Sequence, residues 1–110
     1  MKIELIQGDD LRVFLKVRDL DGQLVDLSGA QSIQWSAART YGQALVITKS
    51  VANGNLFVTG LGSIYFDIEA VESQLLTGSY KQETQIVTSG GLTYTVGQGD
   101  LIIKPQIIGA

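Results

Sequence analysis

Apolar and polar residues alternate over Leu11 to Asp19, where Leu11, Val13, Leu15 and Val17 oppose Arg12, Phe14, Lys16 and Arg18. A two-residue period puts one set on a buried face and the other in water, so the segment predicts a half-buried β-strand. Phe14 is the odd apolar member of the wet face. Lys2 to Gln7 repeats the alternation through Ile3 and Leu5, and Gly8-Asp9-Asp10 separates the two segments as a turn. Further strands are expected over Ser32 to Ala38, with Ile33 and Trp35, over Leu45 to Lys49, and over Ser63 to Glu69, with Ile64, Phe66 and Ile68 inward. Ser79 to Thr88, Leu92 to Val96 and Asp100 to Ile108 complete the set, and Ser89-Gly90-Gly91 joins two of them as a hairpin. Only Ala70 to Leu76 reads as helical, and Gly78 stops it within about two turns. Gly54 to Gly62 has no clean period.

Seven or eight short strands with Gly and Asn turns predict an all-β chain, most simply an immunoglobulin-like two-sheet antiparallel β-sandwich with one short helical turn near 70–76. The 110 residues carry no linker, repeat or low-complexity segment, so residues 1–110 are expected to form one domain. Two aromatics sharpen the expectation. Trp35 lies mid-strand where such sandwiches bury a large ring, and Tyr80 follows the turn Leu76-Thr77-Gly78-Ser79 as a tyrosine corner would. Gln82 stands where the second cysteine of an antibody domain would fall.

Composition narrows the chemistry. Eight Lys and Arg are scattered among eleven Asp and Glu for a net charge of −3, with no basic cluster to neutralise a run of phosphates, which argues against nucleic acid as a partner. The opening MKIELIQGDD breaks before a signal-peptide core could form, and the longest aliphatic run, Ala44 to Ile47, is far short of the roughly 20 residues of a membrane-spanning helix. A soluble chain without a membrane partner is expected. Absence of Cys removes disulfides, thiolate zinc sites and thiol catalysis. Absence of His removes the commonest general base and the commonest transition-metal ligand, which weighs against a hydrolase.

The acidic stretch VRDLDGQLVDLSGA, Val17 to Ala30, invites a calcium-loop reading. Aligning Gly22 with the glycine of an EF-hand puts Val17 at the first ligand position and Ser28 at the bidentate one, so the register fails. A looser site from Asp19, Asp21 and Asp26 competes with the plainer reading that these residues shape turns. Asp67 and Glu69, two apart on one strand face, have the spacing for a glycosidase pair, yet Ile64, Phe66 and Ile68 opposite them make that face simply the wet side. Lys49 and Ser50 are adjacent and point to opposite faces, a poor dyad. Gly60-Leu61-Gly62 and Gly97-Gln98-Gly99 lack a third glycine and read as turns. No catalytic, metal or cofactor residue is assigned, and no cofactor is expected.

Surface for partners remains. LIIKPQII at 101–108 is apolar on both parities, and Pro105 cannot donate to a ladder, which points either to an edge covered by another subunit or to Ile107 and Ile108 tucked against the end of the sandwich. Ile102, Pro105, Ile107 and Ile108, with Phe14, are the candidate partner interface. An alternative is a carbohydrate-binding or adhesion module using Tyr41 and Tyr65 as a sugar platform, provided the two are exposed and coplanar.

The order of short motifs resembles a family of small bacteriophage and prophage tail-associated proteins with an immunoglobulin-like β-sandwich, similar to N-terminal modules of baseplate and tail-fibre proteins. The residues that carry the resemblance are Gly8-Asp9-Asp10, Val17-Arg18-Asp19 with Asp21-Gly22, Val25 to Ala30, Trp35, Leu76 to Tyr80, and Gly97-Gln98-Gly99. It spans nearly the whole chain. It implies a non-enzymatic virion component made in the host cytoplasm, located in the tail, baseplate or fibre-attachment region and held by contacts with other virion proteins, as a homo-oligomer where the assembly is symmetric. A capsid decoration protein is the alternative within that class.

Overall fold

Lys2–Ile6 (β1), Leu11–Lys16 (β2), Ser32–Ala38 (β3), Leu45–Ser50 (β4), Leu56–Gly60 (β5), Ser63–Ile68 (β6), Gly78–Val87 (β7) and Thr93–Lys104 (β8) are strands in the computed structural model, which describes residues 1–106. One four-residue helix, Ala70–Ser73 (α1), lies between β6 and β7. The strands form a five-stranded sheet in the order β1-β8-β7-β3-β4 and a three-stranded sheet in the order β2-β6-β5. Pairing is antiparallel throughout except β1 with β8, which run parallel, a departure from the purely antiparallel expectation.

The alternation along each strand builds the core. Ile3 and Leu5 of β1, Val13 and Leu15 of β2, Ile33 and Trp35 of β3, Ile64, Phe66 and Ile68 of β6, and Leu101 and Ile103 of β8 are all buried between the sheets. The indole of Trp35 stacks on Phe66 across the sandwich, with ring centroids 4.3 Å apart and planes 27° from parallel. At the start of β7 the Thr77 N–H donates to the Tyr80 hydroxyl at 3.2 Å, which is the tyrosine corner expected from the turn before it. The guanidinium of Arg39 lies 4.2 Å above the Tyr80 ring and donates to the Thr77 carbonyl at 3.0 Å, closing the corner from outside.

β1 and β2 belong to different sheets, and the link between them is fixed by α1. The Gly8 N–H donates to Ser73 Oγ at 3.0 Å, Ser73 Oγ donates to the Asp9 carbonyl at 2.8 Å, and the Ala70 N–H donates to Asp10 Oδ1 at 2.6 Å. Gly8 has φ +86°, a conformation a side chain would strain. The helix itself carries a reciprocal cap, in which Glu72 Oε1 accepts from the Glu69 N–H at 2.9 Å.

Two expectations are corrected. Gly97-Gln98-Gly99 is no turn, because β8 runs unbroken through it opposite Thr84, Glu83 and Gln82, with a bulge next to it. The glycine at 99 is there for space: a Cβ would collide with the backbone of Met1, whose carbonyl accepts from the Asp100 N–H at 3.1 Å. Pro105 does not mark an edge strand, since β8 is flanked by β1 and β7 and ends at Lys104 before the proline. Gly54 to Gly62, without a readable period, supplies β5 and the turn into β6.

Candidate docking face

The two outer faces of the sandwich differ in chemistry. On the five-stranded sheet, Lys2 and Glu4 pair at 2.7 Å, Glu4 and Lys104 at 3.6 Å, and Lys81 and Asp100 at 2.6 Å, so paired charges cover the β1-β8-β7 part of it, while Ile6, Leu45 and Tyr94 are exposed elsewhere on its strands. Lys2 is the leading cause of a lowered Glu4 pKa, through its hydrogen bond, and Lys81 does the same for Asp100. Ile102 lies half-buried among them, opposite Glu4 and Ser79.

On the three-stranded sheet the outer face is aromatic. Phe14 of β2 sits directly opposite Tyr65 of β6, and Tyr65 directly opposite Phe57 of β5, so one ring from each strand makes a continuous row. Ring centroids are 6.0 Å apart for Phe14 and Tyr65 and 5.0 Å for Tyr65 and Phe57. Phe14 is 71% exposed and Phe57 43%. Phe14 is therefore not a lone apolar residue on a charged face, as its own strand suggests, but one end of a cross-strand cluster. Phe57 carries no period in the sequence and was not foreseen. Its signal exists only once β5 is paired.

Beside this row, Arg12 holds Asp67 with two bonds, Nε to Oδ1 at 2.7 Å and a terminal guanidinium nitrogen to Oδ2 at 3.0 Å. The hydrogen bond to Arg12 keeps the Asp67 carboxyl below its ordinary range. The Arg12 guanidinium also lies 4.7 Å from the centre of the Tyr65 ring. Below the pair opens a shallow cleft of about 530 Å³, lined by Leu11, Ala70 and Val71 and by Asp10, Arg12, Asp67 and Glu69.

The cleft does bring Asp67 and Glu69 together, but each has a structural partner. Asp67 is locked by Arg12, and the Glu69 side chain accepts from the backbone at the third position of α1. A carboxyl kept ionised by a guanidinium cannot act as a general acid at neutral pH. Lys49 turns inward, 5% exposed along its side chain, to meet Glu72 Oε1 at 2.6 Å, while the neighbouring Ser50, also buried, accepts from the Asn53 N–H at 3.1 Å through its hydroxyl.

The acidic stretch is turn chemistry. Asp19 Oδ1 accepts from the N–H groups of Asp21 at 2.9 Å and Gln23 at 3.0 Å, and Gly22 takes φ +82°. Asp26 Oδ1 accepts from the N–H and hydroxyl of Ser28, bonds that lower its pKa. Among the described residues no three acidic side chains converge on a point suited to a metal ion.

The proposed sugar platform is not assembled. Tyr65 is on the three-stranded sheet, whereas Tyr41 lies in the β3–β4 turn beside Lys81 and Glu83 of the five-stranded sheet. Tyr65 also has Phe57 stacked on it and Arg12 over it, so its ring is already engaged by its neighbours. Pro105 is exposed at the end of β8, and Ile107 and Ile108 lie outside the described residues.

No family model matches the chain, and no curated protein does. Solved structures that it matches include CopC from Methylosinus trichosporium OB3b, 15% identical over 99% of this chain and 89% of that one, with a TM-score of 0.58. Murine CRIg matches at 11% identity over 96% of this chain and 92% of that one, with a TM-score of 0.45. At such identity the likeness to CopC bears on the fold alone. The fold is an immunoglobulin-like β-sandwich.

Proposed function

We propose that this chain is a non-enzymatic docking module of a bacteriophage virion, placed in the tail, baseplate or fibre-attachment region, and that the aromatic face of the three-stranded sheet is where it is held. The observation that carries the docking part is the row Phe14–Tyr65–Phe57 next to the Arg12–Asp67 pair. Interface centres are enriched in aromatic residues and Arg, and such residues dominate binding energy when a partner removes them from water. The virion part rests on the ordered turn motifs from Gly8-Asp9-Asp10 to Tyr80 and on their resemblance to tail-associated proteins. A small rigid sandwich repeated by symmetry holds through many identical contacts, so a modest patch per copy suffices. Other virion proteins are then the partners, with neither nucleic acid nor membrane required.

The test is quantitative mass spectrometry of purified particles from an induced lysate of the source, relative to the major capsid and tail-tube proteins. A low, fixed copy number supports the tail or baseplate reading. Abundance near that of the capsid protein moves the chain to capsid decoration. Absence from intact particles overturns the virion reading.

A further inference from the structure

We infer that the surface meeting the aromatic face is basic: an extended segment of a partner protein that seats a Lys or Arg in the cleft beside the Arg12–Asp67 pair and an apolar side chain on the Phe14–Tyr65–Phe57 row. The inference rests on the docking reading above and adds the partner's chemistry.

Charge complementarity selects this occupant. The cleft is lined by three carboxylates, Asp10, Asp67 and Glu69, and one cation, Arg12. Arg12 neutralises Asp67 through its two bonds. Asp10 and Glu69 are exposed, and the groups they hold, the Ala70 N–H and a backbone N–H of α1, are neutral. Among the described residues, two negative charges are thus left without a counter-ion in a cleft whose other lining, Leu11, Ala70 and Val71, is apolar. A long cationic side chain fits both properties, because its stem covers apolar surface while its head reaches the carboxylates. An acidic partner would be repelled, and the described carboxylates do not converge as a metal ion requires. Contiguity with the aromatic row makes the two features one surface, since Arg12 lines the cleft and also covers Tyr65.

A random linear peptide library displayed on ribosomes is selected against the intact protein. Enriched peptides are then synthesised, and their affinities measured by fluorescence anisotropy for the wild type, for Asp10→Asn with Glu69→Gln, and for Phe14→Ser with Phe57→Ser. The charge variant keeps the oxygen acceptors of both side chains, so α1 stays capped. Expected are sequences with a basic residue close to an aromatic or aliphatic one, weakened about tenfold or more by the charge variant and progressively by salt. Peptides that need Phe14 and Phe57 but carry no basic residue, or ignore the charge variant, overturn the basic partner and leave the docking reading standing. Peptides indifferent to the aromatic variant overturn both. Failure to enrich any sequence overturns the inference as an extended segment.

Discussion

Trp35 donates its indole N–H to Gln82 Oε1 at 2.7 Å inside the core, at the place where an antibody domain would carry a disulfide beside its tryptophan. Gln82 is 1% exposed, and its amide nitrogen donates in turn to the Met1 carbonyl at 3.2 Å. One side chain therefore joins the buried indole of β3 to the segment leading into β1. Gln82→Leu keeps similar bulk but orphans the buried Trp35 N–H, at a cost of about 1–3 kcal/mol, while the Met1 carbonyl keeps the Asp100 N–H. The expected result is a marked fall in the urea midpoint. Trp35→Phe orphans only the Gln82 oxygen but also loses packing volume on Phe66, so its loss should be comparable. A Gln82→Leu protein as stable as wild type would show that water reaches the indole N–H.

Gly97 and Gly99 provide a paired test of why β8 needs glycine. Nothing lies within 4 Å of a Cβ built at Gly97, whereas one at Gly99 meets the Met1 backbone. Gly97→Ala should be neutral or slightly stabilising. Gly99→Ala should force Met1 aside and cost about 1–3 kcal/mol, the range for overpacked sites. Hydrogen exchange locates the effect: amides of β1 and the Asp100 N–H should exchange faster in Gly99→Ala and not in Gly97→Ala.

These two glycines also mark how far the sequence could be read. A two-residue period identifies which side chains of a strand face the core, and that much held for β2, β3 and β6 and for the corner at Tyr80. Period carries no information on which strands become neighbours. Phe14 reads as solitary, Phe57 falls in a stretch without a readable period, and Tyr65 is set beside Tyr41 rather than the two phenylalanines, because only cross-strand register brings the three rings together. Glycine pairs in this sequence are ambiguous for the same reason. Gly60-Leu61-Gly62 turns the chain, with Gly62 at φ +63°, while Gly97-Gln98-Gly99 stays extended because another backbone lies against it. Ser73, fully buried, could not be singled out, since its role is to receive Gly8 and hold Asp9 from a distant segment.

Lys49 and Glu72 form the sandwich's one buried-lysine pair among the described residues, tying β4 to α1 at 2.6 Å. Removing the acid leaves the ammonium between the sheets without its hydrogen-bonded carboxylate, with only the more distant charge of Asp67 acting on it, a change that costs up to about 3–5 kcal/mol when fully buried. Glu72 is 30% exposed, so Glu72→Gln should fall at the lower end of that range. Lys49→Met removes the charge and keeps the stem. Combined with Glu72→Gln it should restore much of the lost stability, giving a large coupling in a double-mutant cycle followed by thermal unfolding. Additive losses would mean that the pair is not coupled.

The carboxylates of Asp67, Asp100, Glu4 and Asp26 all have lowered pKa values in the fold. A lowered folded pKa means the unfolded chain binds protons first as pH falls, so these groups stabilise the fold above the ordinary carboxylate pKa, near 4. That contribution is lost as pH drops through their folded values. Melting temperature should be level through neutral and mildly acidic pH and decline below about pH 4. Salt separates the causes. Asp67, Asp100 and Glu4 are held by Arg12, Lys81 and Lys2, and their NMR titrations should move upward in 1 M salt, roughly a 3 Å screening length. Asp26 is held by the uncharged donors of Ser28 and should stay where it is.

Phe14→Ser and Phe57→Ser distinguish a docking surface from ordinary exposed apolar residues. Both rings lie on the outer face, 71% and 43% exposed, so neither substitution opens a cavity in the core. Their cost to the fold is the aromatic contacts with Tyr65, about 0.5–1.5 kcal/mol each, together with the apolar area that the rings, Phe57 above all, bury on the sheet. A polar residue at a buried interface centre costs more, at least about 2 kcal/mol for a residue that dominates binding. The expected outcome is a double variant that folds, melts cooperatively roughly 5–20 °C below wild type, and is depleted from particles assembled in its presence when wild-type protein competes. Lys81→Gln on the opposite, charge-paired face is the matched control and should enter particles normally. Equal incorporation of the aromatic variant and wild type would remove this face from the docking model, because a surface held through three rings cannot lose two without losing occupancy.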